Sequence, residues 1–112
     1  MRDRINPKKG NQMSEALTFV YVLRLVKPES LGRMSSHEET IVDEHFEYLK
    51  KALAEGKLAL AGRCLDGEFG IVVFRARSER DAQEFMNCDP AVKKGVMTAE
   101  LHSFRLAFVE RS

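Results

Sequence analysis

The segment Thr40–Gly56 (TIVDEHFEYLKKALAEG) constrains the fold more than any other, because its pattern admits one secondary structure and one-sided packing. At about 100° per residue, Ile41, Val42, Phe46, Leu49, Ala52 and Leu53 fall on a single arc. Asp43, Glu44, Glu47, Lys50 and Lys51 fall opposite them. Such a helix must lay its apolar side on a core. His45 sits inside the apolar arc, so an imidazole is carried toward that core. It either packs there as a satisfied polar group or it does chemistry.

The flanking sequence supplies the rest of a small fold. Leu17–Val26 (LTFVYVLRLV) is β-rich and apolar on both parities, as a central strand covered on both faces is. Pro28 and Gly32 break the chain after it. Ser35-x-x-Glu38 and Ser36-x-x-Glu39 both have capping-box spacing, Thr40 is a third candidate cap, and Gly56 ends the helix. Lys57–Ala61 reads as a short second strand, Asp66-Gly67 as a hairpin turn, and Glu68–Ala76 as a third strand. Ser78-x-x-Asp81 opens a second helix whose inner face is Ala82, Phe85 and Met86. That helix stops at Asn87–Pro90. A turn at Ala91–Gly95 leads to a fourth strand over Thr98–Val109.

The order β-α-β-β-α-β predicts an α+β ferredoxin-like plait. Right-handed crossovers give a four-stranded antiparallel sheet in the order 4-1-3-2, with two helices on one face. The first and third strands, the most apolar, are then the central ones. Leu17, Phe19, Tyr21 and Leu23 on one parity and Val20, Val22 and Val26 on the other leave an apolar face without a helix. A second copy, packed sheet against sheet, is the expected cover, so the chain is expected to be a homodimer.

At 112 residues, 44% apolar and 31% charged, the composition suits one soluble domain, assigned to residues 15–112. Residues 1–14, with Arg2, Arg4, Lys8, Lys9, Pro7 and Gly10, read as a flexible basic tail, with Met13 as an alternative start. That basic stretch followed by apolar Leu17–Leu23 imitates a secretory leader. The run meets Arg24, Lys27 and Pro28 with no small-residue cleavage site, and it is too short to cross a bilayer. A net charge of +1 gives no field for nucleic acid or anionic lipid, and neither is expected as a partner. Cys64 and Cys88 are the two cysteines, far apart, and a reducing cytoplasm is the expected location.

Topology collects the polar candidates. The end of the first strand, the start of the first helix, the 62–67 turn and the end of the second helix share one edge of the plait. Arg24, His45, Arg63 and the Asn87-Cys88-Asp89-Pro90 corner therefore meet there, with His45 about 8 Å below the rim at 1.5 Å per residue. An inward imidazole under two arginines and a carboxylate is a small pocket in outline. His37 and His102 read as surface residues. His37, His45 and His102 show no ligand spacing, and no metal is expected. No glycine-rich phosphate loop or G-x-S-x-G elbow appears.

Several of these pieces resemble a known family. His45-Phe46-Glu47-Tyr48-Leu49, Glu55-Gly56-Lys57-Leu58-Ala59-Leu60-Ala61-Gly62, Asp66-Gly67 and Asp89-Pro90 occur in the order and spacing of the YciI-like family, over roughly Leu17 to Phe108. The resemblance implies a dimeric α/β barrel with a ferredoxin-like protomer. It also implies a histidine–aspartate pair as the active site, which falls here on His45 and Asp89. The family usually has proline where this chain has Arg63, so the pocket rim is altered. A few relatives eliminate halide from small ring compounds. A carboxylate accepting from one ring nitrogen fixes the tautomer and leaves the other nitrogen for general base or acid work. Arg24 or Arg63 would hold an anionic substrate group, and Tyr48, one turn from His45, would donate to it or to the ligand. The expected function is cofactor-independent proton transfer of lyase or isomerase type on a small anionic molecule. The alternative is a non-catalytic dimeric module that binds a metabolite or a protein partner at the same rim.

Overall fold

The computed structural model describes residues 17–110, and the expected basic tail at 1–14 lies outside them. Four strands form one sheet in the order β2-β3-β1-β4, the expected plait order. They are β1 (Leu17–Leu25), β2 (Leu58–Arg63), β3 (Gly70–Ala76) and β4 (Met97–Ser103). β1 pairs antiparallel with both β3 and β4, placing Tyr21 between Val72 and Leu101.

Helix α1 (Ser36–Ala54) begins a full turn earlier than Thr40, because Ser35 completes a reciprocal capping box with Glu38. The Ser35 amide donates to Glu38 Oε1 at 2.9 Å, and the Glu38 amide donates to Ser35 Oγ at 3.1 Å. The first bond, aided by Lys27, lowers the Glu38 pKa. His45 therefore lies about 14 Å along the helix at 1.5 Å per residue, deeper than the sequence spacing suggests. At the far end Gly56 takes φ 78°, which an L side chain adopts only at a cost. Its amide donates to Leu53 O and that of Lys57 to Ala52 O, the paired bonds of a Schellman stop.

The apolar arc of α1 is narrower than expected. Ile41, His45, Leu49 and Ala52 are buried, whereas Phe46 and Leu53 are 53% and 58% exposed. A helix resting on a sheet through a strip spaced i, i+4, i+8 and i+11 leaves its flanks to solvent, and Phe46 and Leu53 are on the flanks.

Two shorter helices complete the layer. α2 (Glu79–Asn87) is capped by Ser78, whose Oγ accepts from the Asp81 amide. α3 (Pro90–Lys93) replaces the expected turn: Asp89 caps it and Pro90 starts it with a preset φ. Ala82 and Met86 of α2 are buried with Phe19, Tyr21, Leu23, Val72 and Phe74 of the sheet. Phe85 packs against Phe74 at 4.7 Å and stacks on Tyr48 at 5.0 Å.

Strand limits differ from expectation at the β2–β3 hairpin, where β3 starts at Gly70 rather than Glu68, and at the end of β4. β2 runs on through Gly62 to Arg63, paired with Gly70, and the hairpin loop is 64–69, with the Asp66 carboxylate accepting from the Glu68 amide. β4 stops at Ser103 rather than Val109. The Phe104 amide still donates to Thr18 O, and residues 104–110 are not in a strand. Phe108 is 95% exposed.

Candidate active site

Three elements converge on one carboxylate. Asp89 follows α2 and caps α3, His45 comes from the buried strip of α1, and Tyr21 comes from the middle of β1. The parity of β1 decides the last: Phe19, Tyr21 and Leu23 point to the helix side, and Thr18, Val20, Val22 and Arg24 to the other. Tyr21 and Asp89 are fully buried, and His45 is 5% exposed.

His45 Nδ1 lies 2.7 Å from Asp89 Oδ1 and 2.9 Å from Oδ2. Because an ionised carboxylate only accepts, Nδ1 carries the proton, and Nε2 is left as the lone-pair nitrogen of the neutral ring. Among the described residues Nε2 has no hydrogen-bond partner. Asp89 Oδ1 also accepts from the Ala91 amide at 3.0 Å, and Oδ2 accepts from the Tyr21 hydroxyl at 2.6 Å. A buried charge with three donors is stabilised where an unpaired one would not be. Burial first, and then the Asp89 charge, push the Tyr21 hydroxyl far above its ordinary value.

Tyr21 was not among the candidates read from the sequence. It lies in a run that looks uniformly apolar, yet a buried tyrosine needs a partner for its hydroxyl, and that requirement was the available signal. Tyr48 bonds elsewhere than expected: its hydroxyl donates to Phe85 O at 2.8 Å rather than to His45. Burial raises its pKa as well, with further contributions from the charges of Cys88, Asp89 and Glu84.

Among the described residues neither Arg24 nor Arg63 bonds to the pair. Arg24 is on the helix-free face, 4.0 Å from Glu100 and over the Phe69 ring at 5.8 Å. Arg63 ends β2 on the helix side of the sheet and is exposed. Glu44, next to His45 in sequence, takes Lys94 at 2.8 Å and ties α1 to the end of α3. Open clefts border α2, one of them lined by Tyr48, Lys57, Arg75, Phe85 and Cys88, and neither of those found includes His45 or Asp89. Cys64 and Cys88 are free, and His37 and His102 are exposed. Among the described residues no group of three His, Cys, Asp or Glu side chains is placed to hold a metal ion, and no helix is long and apolar enough to cross a membrane.

Comparison with solved structures finds the same fold in 5-chloro-2-hydroxyhydroquinone dehydrochlorinase (TftG) from Burkholderia phenoliruptrix AC1100, in complex with 2,5-dihydroxybenzoquinone. The TM-score is 0.59 at 18% identity, covering 78% of this chain and 93% of that one. No curated protein matches the chain. The YCII-related domain matches residues 18–104, nearly the whole plait with both partners of the buried pair, and the chain belongs to that family.

Proposed function

We propose that this chain is a cofactor-independent enzyme that moves a proton in an elimination or isomerisation on a small, anionic ring compound. One observation carries the reading: His45 Nδ1 is held 2.7 Å from the fully buried Asp89 carboxylate, with Nε2 left unbonded by the described residues. In elimination, Nε2 takes the proton from carbon, the C–H pair becomes the new π bond, and the leaving group departs with its bonding electrons. Nε2 then passes the proton to water. Asp89 stabilises the transient imidazolium without taking the proton itself. Such a base contributes about 10²- to 10⁴-fold in rate.

Arg63 shares the helix side of the sheet with the pair and is the arginine we assign to the substrate's anionic group; Arg24 faces away from it. Tyr48, bonded to Phe85, supplies wall rather than a proton. The helix-free face, with Val22, Ile71 and Leu60, takes a second copy of the chain. Sedimentation at micromolar concentration checks this, with a dimer expected and a monomer counting against it.

The fold is shared with a dehydrochlorinase, so chlorinated hydroxyhydroquinones are the first compounds to try, with chloride release as the assay. His45→Ala and Asp89→Asn are each expected to lower kcat by about 100-fold or more. Turnover unchanged in both variants, measured on folded protein, would end the proposal.

The depth of the pair favours a second reading. With Asp89 fully buried and His45 5% exposed, the pair also suits a polar clamp in a module that binds a metabolite or protein without transforming it. A bound compound recovered chemically intact after prolonged incubation favours that reading over catalysis.

A further inference from the structure

The Asp89 carboxylate has more donors than a histidine clamp needs. β1 supplies the Tyr21 hydroxyl at 2.6 Å, α1 supplies His45 Nδ1 at 2.7 Å, and α3 supplies the Ala91 amide at 3.0 Å. Ala91 is only two residues away in sequence, so its bond sets the position of Oδ1 but leaves the carboxylate plane free to turn about that contact. His45 spans both oxygens, at 2.7 and 2.9 Å, and so does not choose between them. The Tyr21 hydroxyl is the donor that engages Oδ2 from a separate direction and fixes the plane. Its ring cannot swing away: it meets Phe74 edge-on at 5.6 Å and lies 6.2 Å from Phe85, and the residue is fully buried.

We infer that Tyr21 is a positioning residue, whose bond to Asp89 Oδ2 holds the carboxylate in the plane that keeps His45 protonated on Nδ1 and makes Nε2 the one atom of the pair that exchanges protons. With both oxygens engaged, Asp89 has no open side from which to receive a substrate proton. Chemistry at this site then enters and leaves through a single nitrogen, which is one-base chemistry. This role rests on the function proposed above, and its test needs no substrate.

Tyr21→Phe removes the hydroxyl and keeps the ring. In ¹⁵N NMR of the histidine-labelled full chain, the wild type is expected to show His45 as one neutral tautomer, with the proton on Nδ1. In Tyr21→Phe the competing Nε2-protonated tautomer is expected to gain about tenfold, the scale of one lost bond to a charged group. Val72→Ala is the control: it loosens the same layer without touching a polar atom, and should keep the wild-type ring pattern. A folded Tyr21→Phe with the wild-type pattern overturns the inference, as does an equal change in Val72→Ala.

The wild type gives a second readout that survives if Tyr21→Phe does not fold. A hydroxyl proton held to a buried carboxylate exchanges slowly and is expected as a resolved downfield signal, lost in Asp89→Asn. Its absence from the wild type, or a wild-type His45 protonated on Nε2, overturns the role. These results separate the two readings: an unchanged ring pattern in Tyr21→Phe leaves the elimination chemistry standing, a wild-type ring protonated on Nε2 removes both, and an inert protein with the expected ring pattern removes the chemistry and keeps the positioning.

Discussion

Raising the pH above 10 should destabilise this protein through its tyrosines. The chain has two, Tyr21 and Tyr48, and no tryptophan, so tyrosinate absorbance reports on these two side chains alone. Both titrate above the ordinary value of 10.0 in the folded chain, Tyr21 first because of burial and then because Asp89 lies against it. Between that value and the folded one, the native state keeps a proton that the unfolded chain has released. The native state then binds more protons, so stability is fully present below about pH 10 and falls as pH rises. Each fully shifted tyrosine costs about 1.4 kcal/mol per pH unit in that window. Tyr21, fully buried, should therefore remove roughly 2.5 kcal/mol between pH 10 and 12. Tyr48 is half-buried and screened by solvent, and contributes less. Against the 5–15 kcal/mol typical of a domain, about 3 kcal/mol from the pair is a large fraction. The assay follows tyrosinate absorbance and far-ultraviolet circular dichroism on the same samples, with Tyr21→Phe as the comparison, since lysines also titrate there. The two signals should change together, and the variant should show a shallower alkaline fall. Tyrosinate appearing near pH 10 while the dichroism stays native would refute the reasoning.

Three further outcomes follow from local geometry. Ser35→Ala removes the acceptor of the Glu38 amide and should cost about 1 kcal/mol, read as a lower urea midpoint at unchanged m-value. Gly67→Ala places a side chain at φ 81° and presses its Cβ against Leu31, so a loss of about 1–2 kcal/mol is expected in the same assay; no loss would mean the 64–69 loop readily adopts another form. Asp89→Asn keeps a good helix cap but removes the charge that His45 and Tyr21 bond. It should lose about 3 kcal/mol in thermal unfolding, and Asp89→Ala more, because the cap goes too.

Much of the fold was legible because its signals are local. Ser35, Ser78 and Gly56 act within a few residues of themselves, and the element order follows from them and from strand composition. What depends on partners was not legible. Phe46 and Leu53 look like core on a helical wheel, yet how wide a strip the sheet covers is a property of the sheet. Phe104 to Val109 carries strand-like residues, yet β4 ends at Ser103. α3 has four residues, too few for periodicity to register, and only the Asp89-Pro90 pair announces it. The meeting of His45 with Asp89 followed from topology and from the family resemblance, while Tyr21 stayed hidden because a strand pattern counts tyrosine as apolar.

The clamp around Asp89 also works as a ruler for the chain. Along α1, the positions one turn before and after His45 are Ile41 and Leu49, both hydrocarbon. Were the helix to slide by one turn, about 5.4 Å, the greasy strip would still match the sheet, but an ionised acid would face an alkyl group. Hydrophobic packing tolerates that slip and the acid does not. The alignment of the longest helix is thus decided by a single charged atom pair, whatever else that pair goes on to do.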